Sequence, residues 1–345
     1  MMVDQGASDL FLSANTSPHL KVDGVSRAVD MPVLNPGESK AMAFSFMTDR
    51  QTADFEEDRE SNFALSVDGV GRFRVNVFYQ RSEVSVVVRQ IKSTVPSFEE
   101  LGLPGAVRDL SLLKRGLVLM VGAAGSGKST TMAAMIDHRA SQRDGHIITI
   151  EDPIEYLFKN GRSVVEQREV GLDTKSFGDA LRNAMRQAPD VIVIGEIRDR
   201  ETAQHAIMYA EAGVLCISTL HSNNSNQAID RLINFFPEDA RNQVLLDLSL
   251  NLRGVVAQRL IPDTKGKQAL ATGVLLQSAY VSELIRKGKI DVLTDAIKKG
   301  TEVGMQVFDD SLFKLYQEGR ISHEEAIRNA DSHTDLGLRI KLSAR

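Results

Sequence analysis

Hydrophobic positions fall into two different rhythms along this chain. Near the N-terminal end, residues 71–79 (GRFRVNVFY) place Phe73, Val75, Val77 and Tyr79 at every second position, with Arg72, Arg74, Asn76 and Phe78 between them. Period two is the signature of a strand with one apolar face. After a polar break at residues 80–83, the run VSVVVR (84–89) reads as its hairpin partner. Upstream, residues 49–60 carry six acids and two bases in a helix-like stretch, which predicts a solvated helix face. This first part, residues 1–95, is expected to be a small α+β domain. Pro96, Gly102, Pro104 and Gly105 then interrupt every apolar period, so an interdomain linker is expected at 96–110.

From residue 111 onward the rhythm changes. The runs LVLMV (117–121), HIITI (146–150), VIVIG (191–195) and VLCIST (214–219) are continuously apolar, and helical patterns separate them. Strands buried on both faces and alternating with helices predict a mostly parallel sheet of the α/β class. Beyond about Phe236 the chain reads as helical, with segments at 240–252, 281–287, 305–319 and 322–330, so a helical appendage is expected at the C-terminal end of a domain spanning 111–345.

Composition narrows the class without deciding it. Over 345 residues, 42% are hydrophobic and 25% charged, the proportions of a soluble globular protein, and the length favours two domains. The longest apolar stretch, 116–125, is far below the roughly 20 residues that span a bilayer. No integral membrane segment is expected, and the start MMVDQGASDL has no basic leader or apolar core of a secretory signal, so the expected location is cytoplasmic. The single cysteine, Cys216, lies in an apolar run and reads as a core residue, which excludes an internal disulfide or a thiolate zinc cluster. With 41 basic and 46 acidic residues the net charge is −5, against a general nucleic-acid binder.

Five features are candidates for chemistry. Residues 122–129 (GAAGSGKS) match G-x-x-x-x-G-K-[ST] at every fixed position, follow an apolar strand and precede the helix former TTMAAMIDHRA. Gly122, Gly125 and Gly127 let backbone N–H groups curl around phosphate oxygens, with Ala123, Ala124 and Ser126 completing the loop. Lys128 is expected to reach the β- and γ-phosphates of ATP, and the Ser129 hydroxyl to hold Mg²⁺, with Thr130 next in the motif. The strand VIVIG delivers Glu196 at its C-terminal end, the position of a Walker B carboxylate that orders Mg²⁺. IEDPIE (150–155) supplies three acids after another buried strand, one of them expected to orient the attacking water; spacing does not choose among them, and an acidic solvated loop is the plain alternative. His221 follows a third strand end on the same sheet edge and is a candidate γ-phosphate sensor. Finally, Arg72, Arg74, Arg81, Arg89 and Lys92 face a single acid, Glu83, across residues 72–92. They suit a phosphate ligand at an oligomer interface, a nucleic acid, or simply a solvated hairpin.

Taken together, GAAGSGKST, ITIEDPIE, VGLDTKSF, LRNAMRQAPDVIVIGEIRDRET and STLHSNNSNQAIDRLINFFP closely resemble the type IV pilus retraction ATPases, the PilT/PilU group of secretion ATPases. The resemblance runs from SDLFLS near the start to MQVFDDSLFKLYQEGRI near the end. It implies a PAS-like N-terminal domain and a RecA-like ATPase domain, built into a hexameric ring with ATP between subunits. By motif, Glu155 resembles the group's catalytic glutamate, Glu196 its Walker B glutamate and His221 its histidine box, while Arg74 and Arg81 match arginines that approach the nucleotide. Phe11 in SDLFLS, YVSE at 280–283 and the tracts GLDTKSF, LDLSLNLRG and DSHTDLGLRIKL look more like PilU than PilT. That implies an accessory motor acting beside a PilT-like partner at the inner-membrane platform of the pilus. An assembly-type ATPase of pilus extension or type II secretion, and a catalytically weak coupling module, are the alternatives.

Overall fold

The structure is a computed structural model that describes residues 1–22 and 24–343. The chain divides into two compact units, one formed by Met1–Thr94 with Glu155–Leu157, the other by Val95–Ile154 with Phe158–Arg345.

The first unit is a six-stranded antiparallel sheet with two helices. Its strands are β1 (Asp9–Leu12), β2 (His19–Val22), β3 (Val25–Ala28), β4 (Glu60–Val67), β5 (Gly71–Gln80) and β6 (Glu83–Ile91), in the order β3-β2-β1-β6-β5-β4. The alternation read in β5 is realised: Phe73, Val75 and Val77 are buried, and Arg74 and Asn76 between them are not. The β5–β6 hairpin pairs Gln80 with Glu83, so Arg81 and Ser82 form its two-residue turn, both at positive φ (47° and 67°). Helix Asp49–Asp58 carries the predicted acidic face and buries Phe55, which stacks on Tyr79 with centroids 5.0 Å apart. A Thr48–Gln51 capping box starts that helix.

The second unit is an α/β layer structure around a seven-stranded sheet. Strands β7 (Gly116–Val121), β8 (Gly145–Glu151), β9 (Ser163–Glu169), β10 (Val191–Ile194), β11 (Leu215–Leu220), β12 (Leu252–Pro262) and β13 (Gln268–Leu276) lie in the order β13-β12-β7-β11-β10-β8-β9. All neighbours are parallel except β12 and β13. Side chains alternate between two apolar layers. Leu117, Leu119 and Val121 join Ile150, Ile194 and Tyr209, whereas Val118 and Met120 join Met132, Met135 and Val256. Burial of both faces is why these strands read as unbroken apolar runs.

Two expectations need correcting. The tail after Phe236 is not uniformly helical, because β12 and β13 form an antiparallel hairpin within it, and β12 extends the parallel sheet beside β7. Helix Arg241–Asn251 runs into β12 with no intervening loop, so no turn signal marks the change. The stretch 96–110, expected as a linker, carries helices Phe98–Leu101 and Gly105–Ser111, whose Phe98, Val107 and Leu110 are buried in the second unit. The punctuating residues there are caps: Ser97 and Glu100 make a capping box, Gly102 closes the first helix in the left-handed conformation, and Pro104 opens the second.

Candidate functional site

Strand β7 ends at Val121 and the chain turns through residues 122–127 into helix Lys128–Gln142. The loop is tight at its start. A side chain on Gly122 would collide with the hydroxyl of Ser126 and come within 2.6 Å of the Gln258 carbonyl oxygen. Gly125 and Gly127 hold left-handed φ values of 74° and 88°, so that the loop curls and the helix opens directly after it. Lys128 folds back over the loop, donating to the carbonyls of Gly122 (2.9 Å) and Ala123 (2.8 Å). The Ser126 hydroxyl is buried with no hydrogen-bond partner. Thus one cradle gathers an ammonium, an unpartnered hydroxyl and the N–H groups of a helix N-terminus. These groups are all donors, and they fit phosphate oxygens. Ser129 and Thr130 follow as the half-buried first turn of the helix.

Three neighbouring strand ends supply the charged groups. Glu196 stands two residues past β10, with one carboxylate oxygen 2.7 Å from Arg198 Nε and the other 3.2 Å from His221 Nε2, just past β11. Arg198 also reaches Asp152, past β8, at 3.3 Å, and its hydrogen bond to Glu196 holds its guanidinium above the ordinary value. The ends are pinned by main-chain bonds from Gly195 N to Ile150 O (2.8 Å) and from Ile197 N to Thr219 O (2.9 Å), and by the Thr219 hydroxyl donating to Gly195 O (2.6 Å). A cavity of about 360 Å³ joins phosphate-loop residue Ala123 to His221, Ser222, Asn223, Gln227 and Arg231. The phosphate loop, Glu196 and His221 are therefore gathered at one rim of the sheet, the C-terminal ends of its parallel strands.

The three acids of IEDPIE take three directions. Glu151 is buried, accepting from Thr149 (2.6 Å) and Gln167 (3.2 Å); Asp152 pairs with Arg198; Glu155 is exposed and groups with the first unit, its main-chain oxygen accepting from Lys92 N at 3.3 Å. Arg74 on β5 and Arg81 in the β5–β6 turn also lie in the first unit, where Arg74 is registered against Arg89 of β6. Arg198, which no motif above singles out, ties Glu196 to Asp152. Its signal was in the tract GEIRDRET, a base two positions after the strand-end acid.

The family described as type II/IV secretion system protein matches residues 1–319. The chain belongs to this family. Among its relatives is the type IV pilus ATPase PilU of Pseudomonas aeruginosa, 51% identical over 346 residues, a match that covers 100% of this chain and 90% of that protein. The type IV pilus retraction ATPase PilT of the same organism is 42% identical over 326 residues, covering 94% of this chain and 95% of the relative. A crystal structure of the pilus retraction motor PilT with bound ADP superposes with a TM-score of 0.92 at 41% identity, covering 98% of this chain and 97% of that one. The fold extends further: the Legionella pneumophila ATPase DotB has a TM-score of 0.78 at 24% identity. As a P-loop ATPase of the secretion family, the chain uses a nucleotide.

Proposed function

We propose that this chain is an ATP-hydrolysing motor of a type IV pilus machine, a PilU-type partner of a PilT-like motor that promotes pilus retraction and twitching. The observation that carries this reading is the donor-rich cradle beside the Glu196–His221 pair, in a chain 51% identical to a PilU over its whole length. In the mechanism, Lys128, the Ser126 hydroxyl and the loop amides hold the phosphates. Glu155 takes the proton of a water whose oxygen attacks the γ-phosphorus, and the electrons of the breaking P–O bond leave with ADP. The Ser129 hydroxyl and the Glu196 carboxylate are hard oxygen donors suited to Mg²⁺, which when bound offsets phosphate charge. His221 senses the γ-phosphate, and its contact with Glu196 passes the state of the site to Arg198 and Asp152. Arg74 and Arg81, from the first unit of an adjacent subunit in a homo-hexameric ring, offset charge developing on the transferred group.

Among the described residues no helix is long and apolar enough to cross a membrane, in keeping with a peripheral motor at the cytoplasmic side of the pilus platform. The test is genetic. Deletion of the gene, or the change Glu155→Gln, should leave cells piliated but impair twitching when a PilT-type motor is present to share the load. Bald cells would instead identify an assembly motor, and unimpaired twitching in every background would refute a part in retraction.

A further inference from the structure

The second unit leaves two apolar surfaces uncovered, one near each end of β12. Where that strand begins, Arg253 and the last β13 residues, Leu276 and Gln277, line a cavity of about 610 Å³. Helix Gly105–Ser111 forms one wall through Ala106 and Leu110, with Leu113 just beyond it, and the turn Thr301–Val303 forms the other. The two walls touch, since a side chain on Gly304 would begin 3.2 Å from the Ala106 methyl group. Arg253 is fixed at one end of this groove, donating to the Arg115 carbonyl (3.4 Å) and to the Gln277 side-chain oxygen. Val303 stands on the rim, 64% exposed. Asp109 and Glu302 make the mouth acidic; both are exposed, and neither has an ion pair among the described residues.

The other surface is helix His333–Ser343. Leu336 and Ile340 bury one of its faces, while Leu338 and Leu342 on the opposite face are 58% and 60% exposed. Lys341 is exposed beside these leucines and has no ion pair among the described residues, whereas Arg339 is held by Asp310 and lies over Phe313. The chain enters this helix from Asp331, which Arg259 of β12 holds at 2.7 Å. Arg253 and Arg259 are separated along the strand by roughly 20 Å, so groove and helix lie at opposite ends of it. Among the described residues, none from this helix lines the groove.

We propose that helix His333–Ser343 of one copy of this chain docks into the groove of a second copy. Leu338 and Leu342 cover the apolar floor formed by Leu110, Leu113 and Leu276, and Lys341 meets Asp109 and Glu302 at the mouth. Charge selects this partner. An acidic segment would be repelled by the mouth, whereas a helix edge with two leucines and a lysine matches both floor and rim. Because the surfaces that meet are different, the contact is head-to-tail and repeats from copy to copy. It requires no nucleotide.

Disulfide trapping in the full chain tests this, because Cys216 is fully buried and leaves introduced cysteines to report without interference. Variants Val303→Cys and Leu342→Cys, co-expressed with different tags and mildly oxidised, should yield a cross-linked pair carrying both tags. Either variant by itself should yield none. Lys341→Glu, at an exposed position, should lower the yield about threefold or more, and adding Glu302→Lys should restore it. That rescue separates docking from a folding defect. An assembled chain that gives no mixed cross-link overturns the docking and leaves a ring in place. So does a yield that Lys341→Glu does not change, or a loss that Glu302→Lys does not repair. A chain that stays monomeric at every concentration in light scattering overturns the docking and the ring together.

Discussion

Gly122 has no room for a side chain, since the Gln258 carbonyl and the Ser126 hydroxyl already occupy the space a Cβ would take. Gly122→Ala should therefore shift the loop, with a loss of about 1–3 kcal/mol in stability and weakened nucleotide binding, readable by denaturant unfolding and by a fluorescent-ATP titration. Glu196 is a different case, because its two partners are themselves partly exposed. Removing Arg198 releases one carboxylate oxygen and unties Asp152, so Arg198→Ala is expected to lower kcat about tenfold with a small effect on stability, measured by phosphate release and thermal unfolding. Cys216 is fully buried, and burial pushes its thiol well above the ordinary value. A maleimide should label it only after unfolding. At this scale much was legible: the loop glycines, Lys128 and the strand-end acid are local in sequence. The division of IEDPIE into one buried acid, one ion-paired acid and one exposed acid was not, since it depends on Gln167 and Arg198, which are distant in the chain.

Among the elements, legibility followed the strength of the local pattern. β5 announced itself through Phe73, Val75 and Val77, and β7, β8, β10 and β11 through runs that both apolar layers bury. β12 was hidden by continuity with the preceding leucine-rich helix, and its one marker is Gly254, where a side chain would come within 2.9 Å of the Leu110 methyl groups. β9 is an edge strand with the polar sequence SVVEQRE, paired along its length with β8. A pH effect belongs here too. Glu211 ends helix Arg200–Glu211 and sits near Asp247 of helix Arg241–Asn251; burial, and then that second carboxylate, raise it above its ordinary 4.5. The folded state thus holds this proton more tightly than the unfolded state, so the contribution is favourable at low pH and is lost as pH rises through the folded value. Glu211→Gln should stabilise the protein near pH 7.5 by no more than about 1 kcal/mol, given solvent screening, and should change little near pH 4, as read from urea midpoints.

For the whole molecule, the two units divide the work the proposal requires. The phosphate cradle, Glu196 and His221 belong to the second unit, whereas Glu155, Arg74 and Arg81 belong to the first. If a ring brings arginines from one subunit to the nucleotide of the next, turnover per chain should fall on dilution, in step with ring dissociation followed by light scattering. Arg74→Ala and Arg81→Ala should lower turnover while leaving nucleotide binding at the cradle in place. Constant turnover per chain in dissociated subunits would count against a shared site. The central claim is that this cradle hydrolyses ATP with Glu155 as the base. It is tested most directly by steady-state phosphate release from the purified full-length chain, unsubstituted and as Lys128→Ala and Glu155→Gln. The account predicts that both substitutions reduce turnover at least about 100-fold, with Glu155→Gln still binding ATP. Undiminished turnover in assembled Glu155→Gln protein would contradict it.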